Sequence, residues 1–94
     1  MVYIVSTPDT CFGRPRIAGT RIAVKNIVIE HIHNGMPLEL YAYEFKLSPA
    51  AVYAAISYYY DHKEEIDNGI EADKLFVEEF MKEHHSTLRP KQAA

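Results

Sequence analysis

The strongest local signal in the chain is a helix start at Ser48-Pro49, and the pattern around it restricts the fold to a helical one. A serine side chain can accept hydrogen bonds from a first helical turn, and proline fits the first position because its missing N–H costs nothing there. Side chains at helical spacing flank this signal: Leu38, Tyr41, Ala42 and Phe45 before it, and Val52, Ile56, Tyr59, Lys63 and Ile66 after it. A short helix, a tight turn and a longer helix ending near Asp67 are typical of a helix-turn-helix, although many helical bundles share this outline.

Turn residues set the ends of the other helices. The spacing predicts a first helix over residues 24–34, which ends with Gly35 in the left-handed conformation. Pro37 follows and fits the first position of the next helix. Asn68-Gly69 is predicted to end the third helix, and a fourth amphipathic helix is predicted over residues 71–85.

Extended structure is predicted only near the N-terminus. Tyr3 to Val5 are β-branched or aromatic and favour a short strand. Residues 13–24 are predicted to form two extended pieces around Gly19, which can take a positive φ without steric cost. If residues 20–24 form a strand, Arg21 points away from the core.

At 94 residues the chain has room for one core. We therefore expect a mainly α fold: a three-helix core with a helix-turn-helix, a short N-terminal β-hairpin and an added C-terminal helix. The hairpin and helix-turn-helix are assigned to residues 1–69, and residues 70–85 to an amphipathic helix of the same domain. Residues 86–94 lack an apolar period and are predicted to form a flexible tail.

Several motifs at fixed spacing carry a family resemblance. They are Gly13-x-Pro15-x-Ile17-x-Gly19-Thr20-Arg21-Ile22-x-Val24, a helix ending at Gly35, Phe45-x-Leu47-Ser48, and Val52-x-Ala54-Ala55-Ile56-x-Tyr58-Tyr59. Over roughly Thr10 to Tyr60 the chain resembles the domain-of-unknown-function family 433. The resemblance implies a homeodomain-like helical fold with an N-terminal β element, and a role as the antitoxin partner of a PIN-like ribonuclease. One departure is Ala50-Ala51, where family members often carry acidic residues.

Charge is distributed unevenly along the chain. Residues 1–29 carry four basic and one acidic side chains, whereas the remainder carries six basic and twelve acidic ones. The basic cluster predicted to bind DNA is Arg14, Arg16, Arg21 and Lys25. Because the start of the third helix offers no Arg, Lys, Asn or Gln to base edges, these residues would act through phosphates. The alternative is a solvated strand face, or Arg21 paired with a carboxylate inside the fold.

Tyrosines crowd the third helix. Tyr59 shares a face with Val52 and Ile56 and is predicted to lie in the core. Tyr53 and Tyr60 are seven residues apart and share another face, which is predicted to be a dimer surface. The alternative is that they are partly exposed and cover the ends of neighbouring helices.

Residues 61–85 carry nine acidic side chains and three lysines. The fourth helix combines an apolar stripe with an acidic face, a pattern that suits a partner-binding segment. In the antitoxin interpretation Phe76, Phe80 and Met81 anchor the partner, and Arg89 or Lys91 reaches the acidic metal pocket of the toxin. The alternative is that this helix packs on its own core or on a twin subunit.

No pattern points to a catalytic, metal or cofactor site. Cys11 is the single cysteine, and His31 and His33 are two apart, which places them on opposite sides of a helix. No secretory signal or membrane-length apolar run is present, so we expect a cytoplasmic protein. The leading hypothesis is a homodimeric, non-enzymatic antitoxin with no small-molecule substrate, and the rival is a homodimeric interaction module with no nucleic-acid role.

Overall fold

The computed structural model describes residues 2–83. It confirms the predicted class, a mainly helical fold with a helix-turn-helix and a short antiparallel sheet at the N-terminal end. The strands are β1 (Ile4–Val5) and β2 (Arg16–Ile17), and the helices are α1 (Val24–Val28), α2 (Leu38–Glu44), α3 (Pro49–Asp61) and α4 (Lys63–Glu83). A π-helical turn, Ile29–His33, follows α1.

The chain divides into two compact units, Met1–Lys63 and Glu64–Ala94. The boundary between the units lies at the first residue of α4, and the assignment of residues 1–69 and 70–85 to one domain stays a prediction. The predicted tail over residues 86–94 lies outside the described residues.

The sheet differs in one respect from the predicted hairpin. β1 pairs antiparallel with β2, and only a single bridge, between Arg16 and Ala23, joins β2 to the segment after Gly19. The condition of a strand over residues 20–24 is therefore not met. The reason is that Val24 already begins α1, which leaves only a few residues in extended conformation.

The core of the first unit forms where α1, α2 and both strands pack against α3. Its largest fully buried side chains are Ile27, Val24, Val28 and Val52. Tyr59 and Ile56 are buried beside Val52 on α3, which confirms the predicted core face of this helix. Burying these apolar side chains provides the main stabilisation of the unit.

The predicted start of α3 is confirmed. The backbone N–H of Ala51 donates to the Ser48 side-chain oxygen at 3.1 Å, and Pro49 is the first helical residue. The turn between α2 and α3 passes through Lys46 in the left-handed conformation, with a φ of 57°.

The predicted end of α3 was wrong. The helix breaks at His62, and α4 continues through Asn68-Gly69. At the break, the His62 backbone N–H and its ring Nδ1 both lie 3.0 Å from the Tyr58 carbonyl oxygen, and the two rings stack at 3.9 Å. The N–H contact is an ordinary helical hydrogen bond, whereas the ring contacts accompany the non-helical backbone of His62, which has a φ of −132° and a ψ of 35°. The helical cost of Gly69, about 1 kcal/mol, is too small to end a long helix.

The first helix, predicted over residues 24–34, is helical to His33, but its second half is π-helical. α1 ends at Val28, and the π-helical turn follows with a wide hydrogen bond of 3.0 Å from the Asn34 N–H to the Ile29 carbonyl. Gly35 takes the predicted left-handed conformation, with a φ of 79°. Pro37 lies immediately before α2, one position earlier than predicted.

Two glycines give stability predictions of opposite sign. Gly19 has a φ of 80°, whereas Gly69 lies inside α4, and a Cβ added at either would meet nothing within 4 Å. We expect Gly19→Ala to lower the free energy of unfolding by about 1–2 kcal/mol, because an L-residue is strained there. We expect Gly69→Ala to raise helix stability by about 0.5–1 kcal/mol. Urea denaturation followed by circular dichroism at the helical minimum tests both, and equal signs would contradict the assigned backbone conformations.

Candidate nucleic-acid and partner surfaces

Arg16 acts inside the hairpin. Its Nη1 donates to the Thr20 carbonyl at 3.1 Å, and its Nη2 donates to the Thr7 hydroxyl at 3.1 Å. Its Nε is buried without a hydrogen-bond partner. The side chain therefore joins two turns of the chain, and we remove Arg16 from the predicted DNA-binding set because its donors are directed into the fold.

The Gly-Thr part of the Gly-Thr-Arg triplet builds a turn. The Thr20 backbone N–H and hydroxyl both donate to the Ile17 carbonyl, at 3.1 and 2.8 Å, and the hydroxyl accepts from the Ile22 N–H at 3.0 Å. Gly19 supplies the positive φ that this turn requires. The third member, Arg21, is exposed. The motif thus fixes the position of an exposed arginine.

A second turn, Cys11–Gly13, which we call the knuckle, lies beside the turn at Gly19-Thr20. All three of its residues have positive φ, at 52°, 57° and 77°. The Gly13 N–H donates to the Thr10 carbonyl and the Arg14 N–H donates to the Cys11 carbonyl, both at 3.0 Å. The Cys11 thiol lies 3.2 Å from the Arg21 carbonyl, to which it donates. The knuckle is thereby attached to the chain at Arg21.

The knuckle presents Phe12 to solvent. This side chain is 96% exposed, the most exposed of the large hydrophobic residues in the described part of the chain. Left-handed backbone at a residue other than glycine costs about 1–3 kcal/mol, and such strain persists where the surrounding structure imposes it. The sequence does not single out Phe12, because one aromatic residue between turn signals carries no periodic pattern.

The structure places the other predicted DNA-binding residues around the hairpin. Arg14 directly follows the knuckle and is half-buried, and Lys25 is half-buried in the first turn of α1. Arg21 is joined to the knuckle through its carbonyl, as described above. We call Phe12, Arg14, Arg21 and Lys25 the hairpin surface.

The exposed side of the helix-turn-helix has a different character. The Tyr53 hydroxyl on α3 donates to the Glu39 carboxylate on α2, and both residues are exposed. This hydrogen bond lowers the pKa of Glu39 and raises the pKa of Tyr53. A carboxylate beside α3 opposes an approaching phosphate backbone. The arrangement agrees with the expectation that α3 does not read bases.

The two predicted dimer residues are both exposed. Tyr53 is 47% exposed and Tyr60 is 61% exposed. The ring of Tyr60 lies 5.2 Å from that of Tyr59, which is in the core. A dimer through this face stays a prediction.

Removing the Tyr53 hydroxyl gives a pH prediction. In Tyr53→Phe we expect the pKa of Glu39 to rise towards its ordinary value, since the hydroxyl is the main cause of its lowering. The hydrogen bond stabilises the folded state only while Glu39 is ionised, so its contribution is lost as the pH falls through that lowered pKa. Side-chain carboxyl NMR titration measures this pKa. Tyr60→Phe is the matched control, and an unchanged pKa of Glu39 in Tyr53→Phe would contradict the assigned cause.

Helix α4 carries an apolar stripe on an acidic helix. Phe76 is 71% exposed, and Val77, Phe80 and Met81 are also exposed. At 100° per residue these four side chains lie on one side of the helix, and Leu75 lies on the opposite side. We call the four residues the α4 stripe. The helix also carries eight acidic side chains and three lysines. Arg89, the fourth predicted partner-binding residue, lies outside the described residues, as does Lys91.

Other chemistries find little support in the described chain. Among residues 2–83 no group of three His, Cys, Asp or Glu side chains is arranged to hold a metal ion. Within the same range, no helix combines the length and apolarity needed to cross a bilayer. The Cys11 thiol is directed at a backbone carbonyl.

Comparison with known proteins gives two matches. A family model described as protein of unknown function (DUF433) matches residues 4–59. The crystal structure of a DUF433 member protein from Anabaena variabilis ATCC 29413 is similar at 31% sequence identity and a TM-score of 0.66, covering 73% of this chain and 68% of that chain. None of the curated proteins matches the sequence.

Proposed function

The chain belongs to the DUF433 family, and for this member we propose an antitoxin-like function in which it binds nucleic acid through one surface and a nuclease through another. The protein acts in the cytoplasm as a binding protein without catalysis of its own. The family description states no activity, so the proposal depends on the two surfaces described above.

The single observation that carries the proposal is the chemical contrast between these surfaces. The hairpin surface presents the exposed Phe12 ring and the exposed Arg21, with Arg14 and Lys25 half-buried, whereas the α4 stripe presents apolar side chains on an acidic helix. Cationic side chains suit phosphates, and an acidic amphipathic helix suits a basic protein surface. An antitoxin that also regulates its own gene needs both kinds of contact.

The nucleic-acid function is assigned to the hairpin surface. Arg21 is exposed and held in place by two turns, so its guanidinium can approach phosphate oxygens without rearrangement of the fold. Helix α3 contributes little, because its exposed Tyr53 is paired with a carboxylate. We therefore propose binding that is sensitive to salt and tolerant of sequence.

The nuclease function is assigned to α4. Phe76, Phe80 and Met81 supply apolar anchors of the kind that provide most of the energy of a helix-in-groove contact. The acidic side chains on the same helix favour a partner with a basic groove. A PIN-like nuclease, whose metal pocket is acidic, would meet the basic residues that follow α4 in the sequence.

Two experiments test the function. The first is co-expression of the tagged chain with the product of the adjacent gene, which we expect to be a PIN-like nuclease that co-purifies and loses activity in the complex. The second is a gel shift on the DNA upstream of the chain's own gene. If the neighbouring gene encodes no nuclease-like protein and no shift occurs at low salt, the antitoxin proposal fails.

A second candidate is a homodimeric interaction module with no nucleic-acid role. The Tyr53–Glu39 pair favours it, because an exposed aromatic group beside a carboxylate suits a protein contact better than DNA. Light scattering after size exclusion compares the mass of the wild type with that of Tyr53→Arg and Tyr60→Arg. A dimer that both substitutions dissociate, combined with an absence of nucleic-acid binding, would favour this candidate.

A further inference from the structure

We propose that Phe12 is a stacking platform for a nucleobase, placed so that phosphates on the same strand lie against Arg21 and Arg14. The inference deepens the proposed nucleic-acid function and rests on it. It adds a contact with a base to a surface that the charges alone would assign to phosphates.

The side chain of Phe12 is exposed to solvent. Phe12 is 96% exposed, so its ring lies outside the core altogether. Hairpin neighbours on both sides are polar or small: Asp9, Thr10, Gly13 and Arg14. A protein-binding hot spot usually lies within a wider apolar patch, which these hairpin neighbours do not provide.

The backbone that carries Phe12 is strained. Cys11 and Phe12 both take left-handed φ values, which oppose ordinary side-chain preferences. A glycine at position 12 would adopt this conformation without strain. The fold therefore holds an aromatic residue where glycine would be less strained.

The knuckle is hydrogen-bonded to the turn that carries Arg21. The Cys11 thiol contacts the Arg21 carbonyl at 3.2 Å, and Arg16 joins Thr7 to the Thr20 carbonyl. These contacts fix the turn that carries Phe12 beside the turn that carries Arg21. Proteins bind single strands by combining an aromatic ring, which stacks on a base, with cations that bind phosphates. The exposed Phe12 and the exposed Arg21, carried by these two joined turns, supply one group of each kind.

The charges of this region identify the occupant. The hairpin surface carries three basic side chains, Arg14, Arg21 and Lys25, although the whole chain has a net charge of −3. A nucleic-acid strand complements both the basic side chains and the exposed Phe12 ring, because it carries phosphates and bases with exposed π-faces. A nucleobase can come from an unpaired strand or from insertion of the ring between base pairs, and the two sources share the same stacking chemistry.

The experiment compares two single strands of equal length and charge: oligodeoxythymidine and its abasic analogue. Affinities for the full chain are measured by fluorescence anisotropy. We expect the wild type to bind the abasic strand at least about 5-fold more weakly, because stacking on one base contributes about 1–3 kcal/mol. Phe12→Gly should bind both strands as weakly as the wild type binds the abasic strand, with an unchanged salt slope.

Stability separates a binding role from a structural one. Glycine removes the left-handed strain, so Phe12→Gly should melt at the same temperature as the wild type or higher. Phe12→Tyr keeps a ring and should retain the preference for the strand with bases. Tyr43→Ala is the matched control, since Tyr43 is 82% exposed on α2 and lies outside the hairpin surface.

Three outcomes overturn the inference. If the wild type binds no strand at low salt, the proposed nucleic-acid function fails and the stacking inference with it. If Arg21→Ala weakens binding but Phe12→Gly does not, only the stacking inference fails. If Phe12→Gly changes the oligomeric mass and leaves strand preference intact, the ring docks a protein. Measuring the affinity for a duplex as well identifies where the stacked base comes from. A preference for bases that is seen only with the single strand indicates an unpaired base. Tight binding of the duplex that is lost in Phe12→Gly indicates insertion of the ring between base pairs.

Discussion

Replacing Ile27 with alanine is expected to lower the free energy of unfolding by about 2–5 kcal/mol. The side chain is fully buried in α1, which packs against α3, and its removal leaves a cavity that the surrounding side chains fill only in part. A chain of this length has a total stability on the order of 5–14 kcal/mol. The substitution therefore removes a large part of it.

Urea denaturation measures the effect, and Ile32→Ala is the matched control. Ile32 is 37% exposed in the π-helical turn, so the same change of side chain should cost much less, about 1 kcal/mol. Equal losses for Ile27→Ala and Ile32→Ala would contradict the assigned core.

Replacing Phe76 with glutamate is expected to weaken binding of the nuclease partner by about 30-fold or more. An aromatic anchor at the centre of a contact contributes about 2 kcal/mol or more, and every 1.4 kcal/mol is a factor of ten in affinity. Phe76 is 71% exposed in the free chain, so glutamate is tolerated there without loss of fold. The added charge would enter the apolar part of the contact with the partner.

Isothermal titration of the co-purified partner measures this affinity. Leu75→Glu is the matched control, because Leu75 is 53% exposed on the same helix but lies opposite the α4 stripe. We expect Leu75→Glu to leave the affinity within about 3-fold of the wild type, as surface substitutions outside a contact usually have small effects. Equal weakening by both substitutions would show that the α4 stripe is not the contact.

The helix-turn-helix was predictable from sequence because its signals are local. Ser48-Pro49 sets the start of α3 through contacts within one turn, and Val52 and Tyr59 follow the helical period into the core. Gly35 likewise ends its segment through its own backbone freedom. Such features depend on neighbours a few residues away, which the sequence shows directly.

The helix boundaries that differ from the prediction depend on contacts that the local sequence does not show. Asn68-Gly69 predicts a helix end, but the break occurs at His62, where a histidine ring stacks on Tyr58 and contacts its carbonyl. A side-chain contact of this kind has no established sequence pattern. The π-helical turn after Val28 was missed for a similar reason, since its wide hydrogen bonds follow an ordinary apolar period.

The basic cluster of the hairpin shows where sequence patterns stop. The sequence predicts Arg14, Arg16, Arg21 and Lys25 as one group, and it does not show that the donors of Arg16 contact Thr7 and Thr20. These contacts become visible only in the fold, because Thr7 and Thr20 lie in two different turns, nine and four residues from Arg16. The exposed position of Phe12 is not predictable from the sequence, because it depends on a left-handed backbone.

The salt dependence of nucleic-acid binding tests the central claim most directly. We predict that the wild-type chain binds a short duplex, that the logarithm of its association constant falls linearly with the logarithm of salt concentration, and that Arg21→Ala reduces the slope by about 0.9, the value of one phosphate contact. Lys82→Ala on the acidic helix should leave the slope unchanged. A wild type that does not bind at low salt, or an Arg21→Ala variant with the wild-type slope, would contradict the assignment of nucleic-acid binding to the hairpin surface.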